Sequence, residues 1–352
     1  MRAVVFAGAG ASFGTSRTKY PTTFEFFRHS LPAQVKVDPL FQILTNYVLN
    51  EKRRAGAGGG GLLGPSEPTV DIEELLFAAN EFEAIIGRFV STSTSVARYV
   101  AASSSGAWPA HNPQPFFGYA ETLLPHVQQL RRGINAAIHD AYDALPTEVE
   151  LAATWSPLLN ALLDGHAAVD VFTTNYDLVL ETAIKLGRFP IDVCSTELGF
   201  ATLDCGKWTK ENWSNNRGNR GILTKLHGSL NWTWGRNRRI DIGGPAYFDD
   251  SKQVAIYPGF KGEPNQAPFA DFHAYLEYCL SRADLVVFIG FAFRDQYLNS
   301  IFARHLSRNN ALYALVDPSA DSIKLPFDSE KVVHFNCGFA DAIPPIAAML
   351  AR

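Results

Sequence analysis

The chain has few cysteines and little net charge. Its four cysteines, Cys194, Cys205, Cys279 and Cys337, include no C-x-x-C pair, which excludes a structural zinc built from two such knuckles and leaves buried apolar thiols as the expectation. Lys and Arg number 31 against 35 Asp and Glu, a net charge of −4, so the overall charge points to neither nucleic acid nor an anionic membrane. No stretch approaches the ~18 uninterrupted apolar residues of a spanning helix. The start, Met1-Arg2-Ala3-Val4-Val5-Phe6-Ala7-Gly8, lacks the basic region, long apolar run and cleavage site of a signal peptide. With 47% hydrophobic residues, disordered and collagen-like classes are excluded despite 27 Gly and 20 Pro. A cytoplasmic globular protein of 352 residues, about two typical domains in length, is expected.

What is present is a series of short apolar runs. Residues 3–7 form one that stops at Gly8-Ala9-Gly10-Ala11-Ser12, and the others fall at 168–173, 222–226, 285–289, 312–316 and 331–335. Helical patterns separate several of them, as at 178–186 and 297–306, and this alternation predicts a mostly parallel sheet with helices on both faces. Between the first two runs the spacing is helical: Ile72, Leu75, Leu76 and Ala79, then Leu123, Leu124, Val127, Leu130, Ile134, Ala137, Ile138 and Ala141. The expected organisation is a Rossmann-like α/β domain, 1–29 with 166–352, interrupted by a helical insertion at 30–165. Within the insertion, Ala55 to Gly61 reads as a flexible loop, since no Gly-Lys-Ser/Thr follows to make it a phosphate loop. Residues 187–221 and 231–268 read as irregular.

Five clusters could carry chemistry. The turn Gly8 to Ser12 suits close approach of a diphosphate, yet Phe13 stands where a dinucleotide fingerprint has its third glycine, so a tight structural turn is the equal alternative. Thr173-Thr174-Asn175-Tyr176-Asp177 lies at a strand's carboxyl end, where open α/β sheets bind ligands, although Asp177 also suits a helix cap. His227, in Lys225-Leu226-His227-Gly228-Ser229, is placed for acid–base work or for a structural role. Gly290-Phe291-Ala292-Phe293-Arg294-Asp295 follows the most hydrophobic strand, with Asp295 as a helix cap. Asp317 could meet a ribose hydroxyl or close a turn.

The order of these motifs resembles the SIR2-like superfamily, and most closely its zinc-free bacterial branch of NAD-hydrolysing anti-phage effectors. The anchors are Gly-Ala-Gly-x-Ser at 8–12, Thr-x-Asn-x-Asp at 173–177, Leu-His-Gly at 226–228 and Gly-Phe-x-Phe-Arg-Asp at 290–295. The resemblance implies NAD bound across the sheet as a substrate, with the nicotinamide end enclosed by the helical subdomain. Gly8, Ala9, Gly10, Ala11 and Ser12 would line the diphosphate and nicotinamide ribose. Asn175 would orient the water or ribose at the anomeric carbon, with Thr174 beside it, and Asp177 would hold the carboxamide. His227 would be the general base at the ribose hydroxyls, Gly290 and Phe291 would touch the adenosine half, and Asp317 its ribose. Deacylating sirtuins carry a zinc module after the Leu-His-Gly histidine, whereas residues 228–283 here contain only Cys279, so no metal is implied. They also have Pro-Asp-Phe-Arg after the glycine loop. Here Tyr20-Pro21-Thr22-Thr23-Phe24-Glu25 retains only Phe24 to cover the nicotinamide ribose.

The reaction implied is hydrolysis of NAD to nicotinamide and ADP-ribose. A deacylase or ADP-ribosyltransferase using the same pocket, and a non-catalytic nucleotide sensor, are the alternatives. The chain ends soon after its last strand and helix, so control by homo-oligomerisation or by a separate partner, such as a HerA-like ATPase or a short Argonaute-type protein, is expected. Neither direct nucleic-acid binding nor membrane association is expected.

Overall fold

The computed structural model describes residues 1–16, 20–21, 26–56, 70, 74–88, 114–194, 201–213, 219–235, 239–243, 253–255, 267–307, 310–327 and 330–350. They divide into two units, Met1–Thr22 with His139–Arg352, and Thr23–Ile138. The strands are β1 (Arg2–Ala7), β2 (Ala168–Thr173), β3 (Ile191–Asp192), β4 (Ala201–Thr202), β5 (Gly221–Lys225), β6 (Gly228–Trp234), β7 (Ile240–Ile242), β8 (Gln253–Ala255), β9 (Leu285–Ile289), β10 (Leu312–Val316) and β11 (Val332–Phe335). The α-helices are α1 (Ala9–Thr15), α2 (Ala33–Lys36), α3 (Pro39–Gly56), α4 (residues 74–88), α5 (Gln114–Tyr142), α6 (Glu148–Gly165), α7 (Val179–Leu186), α8 (Phe269–Leu280), α9 (Gln296–Leu306) and α10 (Phe339–Leu350).

The first unit is built on a seven-stranded sheet in the order β11-β10-β9-β1-β2-β5-β3, parallel at every pairing. This is the Rossmann-like α/β arrangement expected from the alternating runs. The apolar runs are continuous because both sheet faces are covered, and side chains alternate between them. In β1, Val4 and Phe6 enter one core with α8 and α9, while Ala3, Val5 and Ala7 enter the other with α1, α6, α7 and α10. Asp170 interrupts the run in β2 and is fully buried. Arg2, the Tyr275 hydroxyl at 2.6 Å and the Ile222 N–H at 3.2 Å satisfy it, as a buried carboxylate requires. Helix α6 lies at a position the sequence reading assigns to the insertion, and it packs in this unit. Thr147 and Glu150 form a reciprocal capping box at its start.

A second, antiparallel sheet, β4-β7-β6-β8, takes its strands largely from the segments read from sequence as irregular. Its strands are short and its β6–β8 pairing changes register, so no sustained two-residue alternation marks it in the sequence. Trp232, Ile240, Ile242 and Val254 from this sheet, with Leu203 just after β4, bury with Trp208 and Phe272, whose rings lie 4.5 Å apart.

In the second unit, Leu40, Leu44 and Val48 of α3, Leu75 and Ala79 of α4, and Val127, Leu130 and Ile134 of α5 are buried at helical spacing. Lys52–Glu74 at 2.6 Å and Arg131–Glu83 at 2.8 Å pair α3 with α4 and α5 with α4. Helix α3 runs through Gly56, and the rest of the glycine run, with residues 57–69, lies outside the described residues. No helix among the described residues is long and apolar enough to cross a membrane.

Candidate active site

Strands β9, β1, β2 and β5 are neighbours, so their carboxyl ends bring four of the motifs side by side. After β1 the chain enters α1 on one face of the sheet, and after β9 it reaches α9 on the other. Such a divergence between adjacent strands is where open α/β sheets form their ligand crevice.

The glycines at this point serve each other. A Cβ on Gly8 would lie 2.5 Å from the Gly290 carbonyl oxygen, and one on Gly10 would lie 2.7 Å from Gly290 Cα. Gly290 has φ +56° and would itself place a Cβ 2.4 Å from Gly10 Cα, so three glycines are required for the two turns to touch. The N–H groups of Gly8 and Gly10 donate to the carbonyls of Ile289 and Gly290 at 2.9 and 3.1 Å, and that of Ala11 donates to Gly8 at 2.9 Å. The close backbone approach expected toward a diphosphate is thus made to the β9 turn, and these three donors are engaged within the chain.

Asn175 ties the β2 end to this turn. Its amide nitrogen donates to the Gly8 carbonyl at 2.8 Å and to Ser12 Oγ at 2.9 Å, which uses both protons and leaves Oδ1 as the available acceptor. Ser12 Oγ in turn donates to Asp177 Oδ2 at 2.7 Å, while Asp177 Oδ1 accepts the Val179 N–H at 3.0 Å in the first turn of α7. Both carboxylate oxygens of Asp177 therefore hold the chain itself. Burial pushes this carboxyl group above its ordinary range, against the opposing charge of Lys225 and the Ser12 bond. Lys225 is buried with its three protons spent on the carbonyls of Tyr176 and Asp177 and on Glu181 Oε1, at 2.7 Å from the last. Glu181 Oε2 is buried without a hydrogen-bond partner among the described residues.

His227 follows β5 and is 3% exposed. The Leu226 N–H donates to the Thr173 carbonyl at 2.8 Å, which keeps the β5 and β2 ends together beyond the ladder. The His227 ring lies 6.4 Å from that of Tyr176, and its Nε2 is 3.2 Å from Asp295 Oδ2. Its Nδ1 is buried and has no hydrogen-bond partner among the described residues. Asp295 spans two tasks, because its Oδ1 accepts the Leu298 N–H at 3.0 Å as the cap of α9. Burial raises the Asp295 carboxyl group, but the bond and charge of His227 and the cap outweigh it, and the net shift is downward.

Other expected site residues stand apart from this network. Phe291 is buried among aromatic rings, 4.6 Å from Phe6 and 4.9 Å from Phe293, so only its backbone borders the glycine turn. Asp317 follows β10 and accepts the Ser319 N–H at 2.8 Å in a local turn. Thr174 is half-buried, and its N–H reaches the Ala7 carbonyl at 3.4 Å. Ala9 is half-buried in the first turn of α1, and Phe24 lies outside the described residues. Asp295 was legible only as a cap, since its partnership with His227 crosses 68 residues of sequence. Among the described residues, no three His, Cys, Asp or Glu side chains gather into a metal-holding cluster.

Comparison with known proteins finds a family match over part of the chain. Residues 169–333 match the SIR2-like domain, a span that holds the Asn175, His227 and Asp295 motifs and excludes the first glycine turn. No curated protein matches the chain in sequence. Among solved structures, the chain is similar to a Sir2 homologue mutant in complex with 2′-O-acetyl ADP-ribose, with 12% identity, a TM-score of 0.44, and 99% of this chain and 92% of that one covered. It is also similar to a Sir2 homologue–NAD complex, with 14% identity, a TM-score of 0.43, and 99% and 89% covered. Over residues 169–333, a little under half of its length, the chain is similar to the SIR2-like domain family.

Proposed function

We propose that the chain is an NAD hydrolase that splits the N-glycosidic bond to give nicotinamide and ADP-ribose. The observation that carries this reading is the buried, unpartnered Nδ1 of His227, on a ring whose other nitrogen is held by Asp295, beside the Asn175 end of β2 in a SIR2-like domain. A SIR2-like domain implies NAD-dependent activity in general. Nicotinamide is already cationic in NAD, so its departure needs little acid help; the C1′–N bond breaks with its electron pair going to nicotinamide. The protein then has to stabilise an oxocarbenium-like ribose and deliver water to C1′. Asn175 Oδ1 would orient that water, and His227 Nδ1 would take the proton it gives up, directly or through a ribose hydroxyl, before release to solvent. Ser12 and Asp177 would act by holding Asn175. Ala9, Thr174, Phe24 and the Gly290–Phe291 backbone would line the substrate, and Asp317 would meet the distal ribose. The described residues after His227, where deacylating sirtuins carry zinc, include strands β6, β7 and β8 with buried Trp232, Ile240, Ile242 and Val254, which supports hydrolysis over deacylation.

The same reading makes the chain a cytoplasmic NAD-depleting effector of anti-phage defence, restrained until triggered. Exposed Val37, Ile43 and Tyr47 on the helical unit support self-association; a HerA-like ATPase or short Argonaute-type partner is the alternative control. The test is incubation of the assembled protein, alone and with such partners, with NAD. Free nicotinamide and ADP-ribose are expected. Formation of 2′-O-acyl-ADP-ribose from an acyl-lysine peptide, with no free ADP-ribose in its absence, would overturn the hydrolase reading.

A further inference from the structure

We propose that Asp295 is a positioning residue for His227: its Oδ2 holds the proton on Nε2 and so keeps Nδ1 as the proton-accepting nitrogen. The inference rests on the hydrolase reading for its kinetic consequence but not for its structural one. Three features carry it. Asp295 Oδ2 lies 3.2 Å from His227 Nε2, and an ionised carboxylate can only accept, so the ring must donate there and Nδ1 must be bare in the neutral imidazole. That bare nitrogen is the one buried without a partner among the described residues. The carboxylate is itself fixed, because its other oxygen caps α9 by accepting from Leu298 at 3.0 Å, and a helix N-terminus favours its negative charge.

The turn that delivers Asp295 is built for this placement. It contains two residues at positive φ, Gly290 at +56° and Phe293 at +53°. Phe293 is held in that unfavourable conformation by its burial among Phe288, Phe291 and Phe302, at 4.9, 4.9 and 5.8 Å between ring centres. The turn carries the chain from β9 to Asp295, whose carboxylate meets the ring that follows β5, three strands away in the sheet.

The remaining groups near the pair agree. His273 on α8 interacts with both His227 and Asp295, and burial pushes its pKa down to about 4, so it adds no positive charge beside His227 at neutral pH. When Nδ1 takes its proton from water or a ribose hydroxyl, the imidazolium formed has the Asp295 carboxylate as its counter-charge, and the proton later passes to solvent. No other reactant is needed.

Asp295→Asn separates the two tasks of the residue. Asn caps helices about as well as Asp, so α9 is retained. Its amide, however, can donate to Nε2, which would move the ring proton to Nδ1 and remove the base; the same exchange in the serine-protease triad lowers kcat about 10⁴-fold. The first readout is the tautomer, taken by long-range ¹H–¹⁵N NMR of ¹⁵N-histidine protein, with the His227 signals assigned by their loss in His227→Gln. Wild type should show the Nε2–H form and Asp295→Asn the Nδ1–H form. The second is NAD hydrolysis, in which Asp295→Asn should lose about 10²–10⁴-fold in kcat at little change in KM, with Asp295→Glu recovering part of it. Asp295→Ser, which keeps a cap but no carboxylate, serves if Asp295→Asn does not fold, and the same loss in kcat is expected of it. A wild-type kcat in Asp295→Asn or Asp295→Ser while His227→Gln is inactive would overturn the inference and leave the hydrolase reading standing. An inactive wild type would sink the hydrolase reading alone, and the tautomer would still decide: Nδ1–H in wild type overturns the inference.

Discussion

Replacing Asn175 with Ala should remove activity and stability together, because this side chain fastens the turn that it sits beside. Its amide donates to the Gly8 carbonyl at 2.8 Å and to Ser12 Oγ at 2.9 Å, and the residue is buried. Neither acceptor would be left wholly unpaired. Gly8 also accepts from the Ala11 N–H, and Ser12 still donates to Asp177. The loss is therefore that of two ordinary neutral hydrogen bonds, ~0.5–1.5 kcal/mol each, rather than of two orphaned buried groups. A total of about 2 kcal/mol corresponds to about 4–8 °C in the apparent Tm of a unit of this size. The assay is thermal denaturation of wild type, Asn175→Ala, Ser12→Ala and the double variant. Because the two side chains share one network, the double variant should lose less than the sum of the singles. Asn175→Ala melting with wild type would refute the claim that these bonds hold the turn, and additive losses would show that the network is not one unit.

Gly290→Ala should lower the apparent Tm by more than 5 °C or prevent folding. It combines a left-handed conformation, about 1–2 kcal/mol for an L-residue, with a Cβ 2.4 Å from Gly10 Cα; normal melting would show that the two turns do not meet. Gly10→Val should fail in the same way, by collision with Gly290, so that its defect appears in melting before any loss of NAD affinity can be measured. His227→Gln keeps a donor for Asp295 and much of the volume, so nicotinamide release should fall about 10²–10⁴-fold while Tm stays within a few degrees; full turnover would make His227 structural. Acid should destabilise the protein through His273, whose folded-state pKa is pushed to about 4 by burial, with His227 adding to the shift and Asp295, Glu277 and the bond to Phe269 opposing it. As pH falls from 6.5 through 4 the unfolded chain takes up a proton that the folded one refuses, a loss of about 3 kcal/mol. Melting curves of His273→Gln should be flatter over that range, and parallel curves would refute the assignment.

The parallel sheet was legible because strands buried on both faces must be apolar throughout, which made residues 3–7 and 285–289 visible as uninterrupted runs. The strand ends were legible for the related reason that polar residues return where the faces open. The second sheet was not, since β7 and β8 are three residues each and their burial comes from Trp208 and Phe272 elsewhere in the chain. The glycines were legible only as two equal alternatives, a phosphate loop or a tight structural turn. Gly8 and Gly10 invite a phosphate when read locally, but the group that fills their space is the backbone of Gly290, brought alongside by the β1–β9 pairing. Asp295 shows the same limit in a polar residue: its local signature is a cap, and its second partner is set by strand order alone.

The distribution of spent and unspent hydrogen-bonding groups says which end of a nucleotide this site suits. Several donors are spent: both Asn175 protons, all three of Lys225, and the N–H groups of Gly8, Gly10 and Ala11 are bonded within the chain. At the ends of β2 and β5 and in the first turn of α7, Asn175 Oδ1, His227 Nδ1 and Glu181 Oε2 remain unengaged within the described residues, the last two of them buried. With Asp295 fixing the ring, His227 Nδ1 joins the other two as an acceptor. A phosphate needs donors and gains nothing from such a set. Ribose hydroxyls and water bring donors of their own, and an oxocarbenium-like carbon gains from nearby oxygen lone pairs and a carboxylate. These acceptors therefore suit the nicotinamide ribose of the proposed substrate, the half in which positive charge develops, and a diphosphate would have to be met by donors other than the N–H groups of Gly8, Gly10 and Ala11.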